Sequence, residues 1–83
     1  MGENLNKLTD VAVTISKKFK FDVNIFINKK SSNFRFCKKN LATSISFSNA
    51  MIDDILDIKV LRNKLLSVAY DLQEMIEIQR EVL

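Results

Sequence analysis

The 83-residue chain has no histidine, no proline, no tryptophan, one glycine (Gly2) and one cysteine (Cys37). Without histidine it lacks the commonest general base near neutral pH and the commonest zinc ligand. Without an interior glycine it cannot build a phosphate-cradling loop of the P-loop or dinucleotide-binding kind. A lone cysteine excludes an internal disulfide framework and fits a reducing, cytoplasmic setting. No window approaches the ~20 apolar residues of a membrane span, and no signal-peptide pattern opens the chain. These absences lead us to expect a protein that is not an enzyme, with no cofactor, no metal, no small-molecule substrate and no membrane association.

What is present is ordinary globular composition, 47% apolar and 28% charged, enough for one domain over residues 1–83 with a modest core. The formal net charge of +3 is distributed unevenly. Residues 17–39 hold eight basic side chains against Asp22 alone, a local balance of +7. A block this basic in a nearly neutral protein is the electrostatic footprint of a polyanion partner. The alternative is a well-solvated lysine face.

Leu5, Leu8, Ala12, Ile15 and Phe19 recur at +3 and +4 spacing and predict an amphipathic helix over 3–18. From Phe19 to Asn28 the odd positions 19, 21, 23, 25 and 27 are apolar, the period of a half-buried strand. Residues 29–33 read as a polar turn, Phe34 to Cys37 as a second strand and Leu41 to Phe47 as a third. Short polar turns between them make an antiparallel meander over 19–48. Ser48 or Asn49 is placed to cap a final helix over 49–83, with Asp53 and Asp54 in its first turns. With no Gly or Pro from Ala50 onward, that helix would run roughly 50 Å at 1.5 Å per residue. Its far end would have to overhang, kink or meet another chain. Leu65, Val68, Leu72, Met75, Gln79 and Val82 lie on its apolar stripe and are the expected partner seam.

The predicted fold is therefore α+β, in the order α-β-β-β-α. Both helices cover the sheet face lined by Phe21, Val23, Ile25, Phe34, Phe36, Ile45 and Phe47. The opposite face would present Lys20, Asn24, Phe26, Arg35, Cys37, Ser44 and Ser46. The expected phosphate contacts are Lys17, Lys18, Lys20, Lys29, Lys30, Arg35, Lys38 and Lys39, with Phe26 able to stack on a base or sugar. Asn24, Asn28 and the serines add hydrogen-bonding capacity without a base code. Asp53, Asp54 and Asp57 are explained as helix-start acids and Cys37 as an incidental thiol.

Several stretches carry a resemblance to known families. Leu5-Asn-Lys-Leu-Thr-Asp-Val11 leading to Val23-Asn-Ile-Phe-Ile27 is similar to the first helix and strand of the two small Alu-domain proteins of the eukaryotic signal recognition particle. Ser46-Phe-Ser-Asn49, Asp54-Ile-Leu-Asp-Ile58 and Arg62-Asn-Lys-Leu-Leu-Ser67 resemble that family's third strand and last helix. The resemblance implies a heterodimer whose pooled sheets cradle the 5′ domain of the particle RNA, in a ribonucleoprotein that retards elongation. Lys20, Arg35 and the lysines at 29, 30, 38 and 39 would then face the RNA. Ser44 to Asp54 and Leu65 to Asp71 also resemble the YbaB-like nucleoid proteins, which are dimeric and bind DNA. The double-stranded-RNA-binding domain shares the element order but needs a lysine cluster where this chain has Ile52-Asp-Asp-Ile55.

The expectation is an RNA-binding dimer, formed with a second copy or a homologous chain, with duplex DNA the less favoured ligand. The alternative from another class is a small interaction or inhibitor module that docks an acidic protein.

Overall fold

The computed structural model describes residues 2–82, the Val82 side chain excepted. Helix α1 (Glu3–Phe19) leads into strands β1 (Asp22–Ile27), β2 (Ser31–Lys38) and β3 (Leu41–Ser48), followed by helix α2 (Asn49–Asp54) and helix α3 (Lys59–Val82). The strands form one antiparallel sheet in the order β1-β2-β3. Its register pairs Val23 with Phe36, Ile25 with Phe34 and Phe34 with Ile45. Both long helices pack on the same side of it, α1 near β1 and α3 over β2 and β3.

The core follows from the two periodicities. Leu5, Leu8, Ala12 and Ile15 supply the buried stripe of α1, while Phe34, Phe36 and Phe47 supply the sheet. Leu61, Leu65, Ala69 and Leu72 supply α3. The Thr43 hydroxyl donates to the Val68 carbonyl (2.9 Å) and fastens α3 over β3. Past Leu72 no residue of α3 among those whose side chains are described is fully buried, although Ile76 still packs on the core. This extension makes the molecule 44 Å long but only 22 by 17 Å across.

The long final helix is not continuous. It breaks over residues 55–58, with Ile55 extended (φ −70°, ψ 135°) and Leu56 fully exposed. The phase of the apolar residues explains the break. Ile52 and Leu61 are both buried, yet nine residues are ~2.5 turns of helix, which would point them to opposite sides. Breaking the helix lets both face the core. The ends left by the break are satisfied. The Asn4 amide donates to the carbonyls of Ile52 (2.9 Å) and Ile55 (3.1 Å), and an Asp57 carboxylate oxygen accepts from the Lys59 backbone N–H (2.9 Å). Asp57→Ala removes that cap and should destabilise the fold by about 1 kcal/mol, read from a urea melt.

Two boundaries also move. Strand β1 starts at Asp22, because Lys20 adopts a left-handed conformation (φ 62°) that ends α1. Lys20 therefore stands at a helix end, not on the sheet, and Asp22 joins the open face opposite Cys37. Strand β2 starts at Ser31, three residues before Phe34.

Two residues of the expected seam on the last helix belong to the core. Leu65 and Leu72 have no exposed surface and Val68 is half-buried, so a partner cannot reach the two leucines. They were expected to repeat toward another chain, but the sheet lies directly beneath them. Met75 is exposed and Gln79 is half-buried. The seam position given to Val82 lies outside the described residues.

Candidate nucleic-acid interface

Among the described residues no element packs on the second face of the sheet, since both long helices lie on the first. Strict alternation brings Asn24 and Phe26 of β1, Asn33, Arg35 and Cys37 of β2, and Ser44 and Ser46 of β3 to this open face. Arg35 sits at its centre, between Asn24 and Ser44. The Asn33 amide donates to the Ser46 hydroxyl (2.7 Å), and the Asn24 amide lies 3.7 Å from the Cys37 sulfur. Phe26 is 59% exposed on edge strand β1 and is not covered by α1.

The lysines divide between the two ends of the sheet. Lys29 and Lys30 form the β1–β2 turn. Lys38 and Lys39 lie at the other end of β2, where Asp22 pairs with Cys37 and where Lys20 therefore also sits. Seven residue steps of β2 at 3.3 Å separate the two turns by ~23 Å. Lys17 and Lys18 lie in the last turn of α1. Lys18 belongs to the helical side, where it borders a groove with Val11, Ile15, Arg62 and Leu66. The structure thus joins Phe26 and Arg35 on one surface with the lysine turns at its two ends, while Lys38, in register with buried Phe34 and Phe36, lies on the α3 side beside Ile76 and Arg80, and Lys18 is off the open face.

The β1–β2 turn is firmly held although it contains no glycine. The Asn28 side-chain oxygen accepts from the backbone N–H groups of Lys30 and Ser31 (both 2.8 Å). Asn49, the first residue of α2, donates its side-chain amide to the Asn28 carbonyl (2.7 Å) and its backbone N–H to the Lys30 carbonyl (2.9 Å). Its side-chain oxygen accepts from the buried Ser32 hydroxyl (2.7 Å). Asn49→Ala would leave that hydroxyl unpartnered and should cost about 1–3 kcal/mol in thermal or chemical unfolding. The helix cap itself is Ser48, whose hydroxyl oxygen accepts from the Met51 N–H (3.1 Å).

Among the described residues none of the eight cations of residues 17–39 forms an ion pair. Among the described residues the one ion pair is Lys7 with Glu3, at 3.7 Å on the exposed side of α1. Also among the described residues, no acidic or thiol cluster is arranged to hold a metal ion, and no helix is long and apolar enough to cross a membrane.

Two contributors escaped the sequence reading. Asn33 was assigned to a turn, although Ser32, Phe34 and Phe36 already alternate with it and Arg35. Arg80 lies forty residues from the β2–β3 turn in sequence and meets Lys38 and Lys39 only because α3 runs back past that end of the sheet. No protein-family model matches the chain, and no curated protein or solved structure is significantly similar to it.

Proposed function

We propose that this chain is a non-catalytic nucleic-acid-binding protein with RNA as its preferred ligand. The open sheet face holds the phosphate backbone, and a second copy or a homologous chain completes a dimer. The observation that carries this reading is an uncovered sheet face with Arg35, unpaired among the described residues, at its centre, lysine turns at its two ends and Asp22 as its one carboxylate. Such a surface can follow a phosphate backbone for ~23 Å, the length of β2. Exposed Phe26 offers a stacking platform, the usual device for bases that are not locked in a duplex. The resemblance to signal recognition particle Alu-domain proteins makes that particle's RNA the first candidate ligand.

Backbone strain gives independent support. Among the described residues Lys20 (φ 62°) and Lys39 (φ 56°) are the two non-glycine residues with left-handed backbones. That conformation costs roughly 1–2 kcal/mol for a residue with a Cβ. Lysine at both positions is explained if its charge is needed there. Lys39→Gly should therefore leave the fold unchanged or up to about 1 kcal/mol more stable, while weakening RNA binding. Paired melts and binding isotherms check both halves.

The direct test is binding to a labelled structured RNA and to duplex DNA across a range of salt concentrations. Tight RNA binding with a steep log–log salt slope is expected. Preference for duplex DNA would favour a nucleoid-type role. Absence of binding to either at low salt would assign the basic block to an acidic protein partner.

A further inference from the structure

At the β2–β3 end of the sheet, Lys38, Lys39, Leu41, Ile76, Gln79 and Arg80 line a recess of about 100 Å³. Leu41 and Ile76 supply its apolar lining. Three cations and one amide supply the polar groups. Among the described residues no carboxylate lines it. Glu77, three residues before Arg80 on α3, instead accepts from the Gln73 amide at 3.3 Å. Lys38, Lys39 and Arg80 also have no ion-pair partner among the described residues.

We propose that this recess seats a terminal phosphate, a phosphomonoester at the end of an RNA strand. The inference rests on the RNA-binding reading and adds a subsite to it. A chain-internal phosphodiester carries one negative charge and two ester substituents, each of which needs a way out. A terminal phosphomonoester carries close to two charges and a single substituent. A small recess with apolar lining and three cations matches the monoester in charge and needs only one exit. The arginine fork can take two phosphate oxygens side by side, and the lysines act as point charges. Leu41 and half-buried Ile76 shield the Lys38 side of the recess in part, while Lys39 and Arg80 reach it from solvent.

The test uses the full chain in two assays. In the first, backbone amide NMR shifts are followed during titration with inorganic phosphate, uridine 5′-monophosphate and dimethyl phosphate. Shifts confined to residues 38–41 and 76–80, saturating with the first two probes and not with the diester, are expected. The same response to all three, or shifts spread evenly over the surface lysines, overturns the seat. In the second, one RNA sequence is prepared with a 5′-phosphate, with a 3′-phosphate and with hydroxyls at both ends. One phosphorylated end should bind about tenfold tighter than the hydroxyl form, and Arg80→Gln and Lys38→Gln should erase the difference. Binding of the three RNAs with equal affinity removes the terminal-phosphate seat and leaves the sheet reading intact. If none of the three binds while the localised shifts persist, the RNA reading fails and the monoester seat stands.

Discussion

Leu72→Asp should unfold this protein, with no folded monomer released. Leu72 has no exposed surface and packs in one cluster with Leu65, Ala69, Phe34 and Phe36. Truncating a buried leucine costs about 2–5 kcal/mol through lost burial and the cavity left behind. A carboxylate at the same place adds the penalty of an unpaired buried charge or of its protonation. An 83-residue domain has a total stability near the lower end of about 5–15 kcal/mol. The sum exceeds what the fold can absorb. Far-UV circular dichroism should show no cooperative melt for Leu72→Asp. Ile78→Asp on the exposed side of the same helix should melt within about 0.5 kcal/mol of the parent. A well-folded Leu72→Asp variant with half the parent's mass in solution would instead place Leu72 at a junction between chains.

That prediction depends on information the sequence contains only in part. The stripe of α1 and the alternation of the three strands are visible because each element has one face on a single core. The helix break at residues 55–58 is also written there, in the spacing of Ile52, Ile55, Ile58 and Leu61. Three successive steps of three residues drift half a turn around a continuous helix. The missing Gly or Pro masked this signal, and Asn4, which satisfies the broken end, lies about fifty positions earlier in the chain. Asp57 is a legible cap once the break is placed. Leu65 and Leu72 read as seam residues for a different reason. A +3, +4 stripe reports that a helix is buried on one side, and does not say whether its own sheet or another chain covers it.

The candidate site divides in the same way. Arg35 and Phe26 follow from period two, and the lysine turns follow from being turns. Their distribution over opposite ends of the sheet is a property of the meander, since consecutive hairpins turn at alternate ends. The contribution of Arg80 is purely tertiary. Lys20 was assigned to the strand because Phe19 and Phe21 flank it. It ends a helix instead, and its backbone N–H donates to the Ser16 carbonyl.

Removing the lysine charges at both ends should produce the largest change in binding. The double variants Lys29→Gln/Lys30→Gln and Lys38→Gln/Lys39→Gln each remove up to two phosphate contacts. All four positions are turn or strand-end residues outside the buried core, so the fold should be retained. Each contact contributes ~0.7–0.9 to the log–log salt slope, so the quadruple variant should flatten the slope by about 3. Between 50 and 200 mM salt the gap between parent and quadruple variant should then narrow by on the order of 10²-fold. The two pairs lie ~23 Å apart along β2, well beyond the range at which substitutions couple. If one RNA bridges the sheet, their free-energy losses should add. An RNA that engages only one end would make one pair silent, and the working surface would contract to the turn that still matters. Should both pairs be silent while Arg35→Gln abolishes binding, contact would be confined to the middle of the open face, with the lysine turns merely solvated.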